Sequence, residues 1–139
     1  MVEARAGGEQ PVAGPAGALF DKLGASFVEA TAERVVARMP VEGNTQPLGY
    51  LHGGATAALA ETAASVGAWM ASDGQPTFGL EIKVNHMRSV RSGWITATAL
   101  PLHVGRTTQV WEIRVHDDDG RLVAFSTCTL STRAQRSEA

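Results

Sequence analysis

Between His52 and Asp73 runs the segment GGATAALAETAASVGAWMAS, and Glu61 is its one ionisable side chain. Alanine and leucine favour helix, and no proline interrupts the run. Small residues on every side predict a helix buried all round. A carboxylate midway along such a helix is costly to desolvate unless it is paired or used. Ser65 stands four residues on, hence on the same helix face, where its hydroxyl can hold the carboxylate or a water. The chemistry such a group offers is that of a general base or a nucleophile. The same carboxylate is also satisfied by an arginine across a subunit interface.

The entrance to this helix reads Gln46-Pro47-Leu48-Gly49-Tyr50-Leu51-His52-Gly53-Gly54. Two glycines at a helix start let backbone come close to a ligand. The first N–H groups of a helix lack intrahelical acceptors and sit at the positive end of its dipole, so they suit a carbonyl oxygen that gains negative charge. A tight loop-to-helix junction uses a glycine pair equally well. Gln46 reads either as a side chain that supports this loop or as a surface glutamine, and His52 either as a site residue or as a loop histidine satisfied by backbone. Gly53 lies about 12 Å along the axis from Glu61 at 1.5 Å per residue. One protomer therefore struggles to bring both to one carbon, whereas two protomers can share a site.

Positioning these groups falls to the rest of the chain. Residues 1–16 are rich in Gly, Pro, Ala and charge and read as a disordered tail, with 17–134 as one domain and 135–139 as a short tail. A helical turn is expected over Ala18–Leu23, then strands near Ala25–Ala30 and Glu33–Met39, then a polar loop from Pro40 to Leu51. Ser72-Asp73-Gly74-Gln75-Pro76 stops the helix. The period then becomes two: Phe78, Leu80, Ile82 and Val84 alternate with Gly79, Glu81, Lys83 and Asn85, predicting a strand with one buried face. Strands over Trp94–Val104, Gln109–His116 and Arg121–Thr132 follow, the last two joined by the turn Asp117-Asp118-Asp119-Gly120. Short turns make neighbouring strands antiparallel. One apolar helix buries most of its surface only if that sheet curls round it, so the expected class is α+β, with a dimer completing the burial.

Bulk properties exclude several roles. The 139 residues fit one domain, and a net charge of -2 with a pI near 6.1 gives no basic stripe for nucleic acid. A single cysteine, Cys128, rules out an internal disulfide and suits a reducing compartment, so a cytoplasmic location is expected. The first eighteen residues lack the apolar stretch of a signal peptide. The alanine-rich run is long enough to cross a bilayer, but Glu61 and its Gly, Thr and Ser content favour a buried helix and no membrane role. His103 and His116 have no metal-like spacing, so no metal is expected, and no phosphate-type glycine motif is present. Cys128, Trp69, Met70, Trp94 and Trp111 read as core or pocket rim.

QPLGYLHGG followed by ALAETAAS resembles the hotdog-fold acyl-CoA thioesterases, in particular the branch of the glutamate-type 4-hydroxybenzoyl-CoA and 1,4-dihydroxy-2-naphthoyl-CoA thioesterases, often described as PaaI-like. The resemblance runs from about Leu19 to Arg133 and includes GLEIKVNHMRSVRSG, PLHVGRTTQVWEI and DDDGRLVAFSTCTL. It implies a curled antiparallel sheet around one long central helix, assembled as homodimers that pair into a homotetramer. It also implies hydrolysis of an acyl-CoA thioester, aromatic in this branch, to a free acid and coenzyme A, with no cofactor beyond the coenzyme A of the substrate. By the same resemblance Glu61 is the catalytic carboxylate and Gly53 the backbone donor to the thioester carbonyl. His52 and Gln46 support the thioester end, and Ser65 assists hydrolysis. His86, Arg88 and Ser89, with Gly105, Arg106 and Thr107 at a strand turn, match the coenzyme A contacts; arginine pairs well with phosphate. Solvated strand-end charge is the other reading of these arginines.

Two other roles compete on the same fold. A non-catalytic acyl-CoA-binding regulatory module has no use for a helix carboxylate, so Glu61 speaks against it. A hydratase wants a histidine beside the acid, and His52 lies in the glycine entrance instead.

Overall fold

The computed structural model describes residues 16–133. The elements run α1 (Gly17–Lys22), β1 (Ser26–Ala30), β2 (Val35–Pro40), α2 (Gly53–Ala71), β3 (Thr77–His86), β4 (Trp94–Val104), β5 (Thr108–His116) and β6 (Leu122–Thr132). The sequence places every one of these within a few residues. The expected disordered tail and the short C-terminal tail fall outside the described residues, apart from Ala16, which packs on the rim of the core.

All six strands form one antiparallel sheet in the order β1-β2-β4-β5-β6-β3. Its two edges, β1 and β3, do not pair with each other, so the sheet is open. Alternate residues of β4, β5 and β6 (Ile95, Ala97, Ala99, Trp111, Ile113, Val115, Ala124, Cys128, Leu130) form the concave inner face, and α2 fills it. Small helix residues let backbone come close. At Gly67 an added Cβ would stand 2.5 Å from the Trp111 ring. The Trp111 indole N–H donates to Gln109 Oε1 (2.8 Å), and the Gln109 amide donates to the Ala68 carbonyl (3.1 Å), a wholly buried brace from sheet to helix. Buried polar groups of this kind persist because each is hydrogen-bonded.

Two expectations need correction. The helix is not buried on all sides: Leu59, Ala60, Ala63, Ala64 and Ala68 are covered, while Glu61, Thr62, Ser65 and Trp69 are only half-buried along one stripe. The stripe exists because a single open sheet wraps only part of a cylinder. In β3 the predicted buried face of Phe78, Leu80, Ile82 and Val84 breaks halfway. Ile82 and Val84 pack on the core, but Phe78 and Leu80 are 60% and 64% exposed. The pairing of β3 with β6 steps from Gly79↔Leu130 to Glu81↔Thr129, so Leu80 is an extra residue. A bulge of one residue reverses the alternation upstream of it, and Thr77 and Gly79 take the inward positions instead.

Candidate active site

The segment before α2 is built to hold one shape. The Asn44 amide donates to the carbonyls of Leu23 and Pro40, both at 2.8 Å, which ties the loop to the end of α1 and of β2. The N–H groups of Leu51 and His52 donate to the carbonyls of Val90 (2.7 Å) and Asn44 (2.8 Å). Gly49 has φ 85°, the left-handed region that favours glycine, and closes a turn in which its N–H donates to the Gln46 carbonyl at 2.9 Å. Within that turn Gln46 Oε1 accepts the Leu48 N–H. Only an oxygen can accept there, so the Gln46 NH2 is left as the outward donor.

His52 is the N-cap of α2. Its Nδ1 accepts the Gly54 N–H at 2.8 Å. The ring occupies the space a Cβ at position 54 would need, at 2.9 Å, which accounts for the second glycine. No acceptor among the described residues takes the Gly53 N–H, which stays free at the positive end of a 19-residue helix. Over Gly53 lies the His86 ring, 3.0 Å from where a Cβ would be. Gln46, Gly53, His86, Arg88 and Ser89 line one cleft of about 390 Å³ together with Tyr50, which the sequence did not single out. Tyr50 Oη accepts a hydrogen bond from Arg91 at 2.8 Å, and the guanidinium lies over its ring at 4.1 Å.

Glu61 faces a different cleft, of about 450 Å³, shared with Thr62, Ser65, Trp69, Thr77 and Phe78. Its carboxylate lies against Gly79 of β3, where an added Cβ would stand 3.1 Å from Cδ. Within the described residues it forms no ion pair. The Ser65 carbonyl accepts the Thr77 hydroxyl at 3.2 Å, pinning the start of β3 to the helix. Below the cleft, burial pushes the Cys128 thiol up to about 12 from an ordinary 9.0, and the negative charge of Glu61 adds to the rise. That thiol is a packed side chain and not a nucleophile.

One protomer thus carries two separate clefts, one at the helix entrance beside the free Gly53 N–H and one at mid-helix beside the Glu61 carboxylate. His52 caps the helix and lines neither cleft. Gly105, Arg106 and Thr107 form the β4–β5 turn and also lie outside both. The carbonyls of Arg106 and Thr107 accept from Thr132, whose strand partner is Thr77, so this turn sits toward the outer end of the Glu61 cleft. No group of three His, Cys, Asp or Glu side chains able to hold a metal occurs among the described residues. No helix there is long and apolar enough to cross a membrane.

Comparisons with known proteins place this arrangement. Residues 48–124 match the thioesterase superfamily. The chain is 53% identical over 116 residues to ComA2 of Bacillus subtilis, covering 81% of this chain and 92% of that one. It is 41% identical over 120 residues to the 1,4-dihydroxy-2-naphthoyl-CoA hydrolase of Listeria monocytogenes, covering 85% and 98%. Among solved structures, the thioesterase SAV0944 of Staphylococcus aureus superposes with a TM-score of 0.80 at 36% identity, covering 83% of this chain and 98% of that one. SAV0944 has been solved with a glutamine and, separately, a glutamate replaced by alanine. A six-stranded antiparallel sheet around one long helix is the hotdog architecture of these neighbours, and the chain belongs to the thioesterase superfamily as a thioester hydrolase.

Proposed function

We propose that the chain hydrolyses an aromatic acyl-CoA thioester to the free acid and coenzyme A, at a site shared by two protomers. The observation that carries this reading is the position of Glu61, half-buried on a cleft with no ion pair to a cation among the described residues. The two SAV0944 positions replaced by alanine stand as far apart in that chain as Gln46 and Glu61 do here, which supports roles for both. The aromatic acyl group rests on the Listeria hydrolase and on the Trp69 and Phe78 lining of the Glu61 cleft.

In this reading the Gly53 N–H and the Gln46 amide donate to the thioester oxygen as it gains charge. Glu61 either removes a proton from a water that attacks the carbonyl carbon, or attacks that carbon itself to give a mixed anhydride that water then opens. In either route the carbon–sulfur bond breaks, the sulfur leaves as coenzyme A thiol with one proton of the water, and the rest of the water completes the carboxylic acid. Ser65 orders the water, His52 fixes the helix start, and His86, Arg88 and Ser89 meet the pantetheine and phosphate end. Gly105, Arg106 and Thr107 add phosphate contacts from outside the clefts, most simply from another subunit. No cofactor or metal enters the reaction.

The free edge of β3 supplies a route to the shared site. It is ten residues long, with Phe78 and Leu80 exposed on it, whereas the other edge, β1, has five residues and a bulge. Long apolar edges pair unless something blocks them. Gly79 touches Glu61 and His86 covers Gly53. Two-fold antiparallel pairing that sets Gly79 opposite the partner's His86 therefore brings Glu61 beside the partner's Gly53. Dimers so formed leave helices and sheet faces free to pair again as a tetramer.

Thiol release from benzoyl-CoA and related thioesters, measured for wild type and Glu61→Gln, is the direct test. The expected loss of turnover is at least roughly a hundredfold. Equal activity in the two proteins removes Glu61 from the mechanism. Binding without thiol release in wild type leaves a non-catalytic acyl-CoA binder.

A further inference from the structure

The Glu61 cleft ends on a fixed wall, and that wall is Trp69. Glu61, Ser65 and Trp69 follow one another at helical spacing and line the same cleft. Trp69 is held from behind. Its carbonyl accepts the Gly74 N–H at 2.8 Å and the Ser72 hydroxyl at 3.2 Å. The edge of its indole rests on Gly74, where an added Cβ would stand 3.7 Å from Nε1 and 3.8 Å from Cε2 and Cζ2. Gly74 has φ 80°, so the turn that backs the indole takes a shape few other residues adopt. Thr77, hydrogen-bonded to the Ser65 carbonyl, and Pro76 close the side toward β3. A ring backed on one side by a helix end and on the other by a tight turn does not swing away cheaply.

From this we infer that Trp69 sets the length of acyl group the enzyme accepts along the helix, and that the limit in that direction is the depth of one six-membered ring or an alkyl chain of about the same reach. The inference rests on the proposed role of Glu61, because it measures the cleft from the carbon that Glu61 addresses. Two turns and a little more separate the two positions, about 12 Å of helix axis at 1.5 Å per residue, and this is taken as the length of the cleft between them. A van der Waals contact of about 3.5 Å at either end leaves roughly 5 Å for the acyl group. A benzoyl ring lying along the helix fits that span. A second ring attached para to the carbonyl, or a ten-carbon chain, runs into the indole.

The test compares kcat/KM for benzoyl-CoA against 4-phenylbenzoyl-CoA, and for butyryl-CoA against decanoyl-CoA, in wild type, Trp69→Ala and Trp69→Phe. Wild type is expected to favour the short member of each pair at least tenfold. Trp69→Ala is expected to reverse or abolish that preference, chiefly by raising kcat/KM for the long member, with Trp69→Phe in between. Thermal melts accompany each variant. Should Trp69→Ala fail to fold, Trp69→Phe alone decides, since its smaller ring must still relax the preference severalfold. An unchanged ratio in a folded variant that retains Glu61-dependent turnover overturns the wall and leaves the site intact. Turnover of all four substrates that persists in Glu61→Gln overturns both readings, as does thiol release from none of them in wild type.

Discussion

His52 and Cys128 show how single side chains set the chemistry of this molecule without touching substrate. By accepting the Gly54 N–H, His52 occupies one donor of the helix start and leaves its neighbour at Gly53 available. Replacing it by alanine is expected to cost about 1 kcal/mol, the usual value of a lost helix cap, and to lower Tm by several degrees. The melt should be read beside a rise in KM; an unchanged Tm would mean that the Nδ1 contact does not hold the helix start. Cys128 carries a folded-state pKa raised to about 12, by burial first and by Glu61 second. Because the folded protein holds this proton more tightly than the unfolded chain, the stability it contributes is complete below pH 9. It is lost as pH climbs from about 9 toward 12. Iodoacetamide at pH 8 should therefore modify the native thiol far more slowly than the urea-unfolded one; equal rates would show that the thiol is open to solvent.

Elements decide where those residues come to lie, and here the reading of the sequence both succeeds and stops. The helix from Gly53 to Ala71 was plain from composition, its start from the glycine pair, its end from Ser72-Asp73-Gly74. The turns around Gly105 and Gly120 were plain for the same local reasons. The bulge at Leu80 was not, because alternation continues on either side of it and the extra residue shows only in the pairing with β6. Nor did spacing alone show that Gln46 and Arg88 share a cleft, since β3 and the loop before α2 are brought together by sheet curvature. From sequence Trp69 reads only as core or pocket rim; its eight-residue offset from Glu61 carries the missing signal. The closest helix-to-sheet contact, Gly67 on Trp111, makes its own prediction. Gly67→Ala pushes a methyl into a ring that is itself tethered to Gln109, and overpacking of this kind costs about 1–3 kcal/mol. A urea midpoint within error of wild type would mean that helix and sheet separate more readily than the brace implies.

At the level of the whole molecule, the two clefts of one protomer become one site only if subunits exchange half-sites. A mixing experiment measures this directly. Glu61→Gln and Gln46→Ala proteins, each expected to lose most activity alone, are unfolded together and refolded. If sites are shared, each mixed dimer holds one intact site, and random assembly restores about a quarter of wild-type activity. If each protomer works by itself, mixing restores nothing. Dilution should also inactivate wild type, with activity and dimer lost over the same concentration range.

The additional residue at Leu80 has a consequence for how such chains can vary. Insertions usually accumulate in loops, where they change little, but this one lies inside a strand and decides which neighbours become wall and which become outside. Drawing it into the ladder opposite Leu130 would turn Phe78 toward the helix and rotate the bare backbone of Gly79 away from the carboxylate. The groove would be plugged by the chain's own aromatic ring. A slip of one residue in that pairing would erase substrate entry while every named acid, amide and imidazole stayed in the sequence, whereas loss of Leu80 itself leaves Gly79 opposite Leu130 and Phe78 outside.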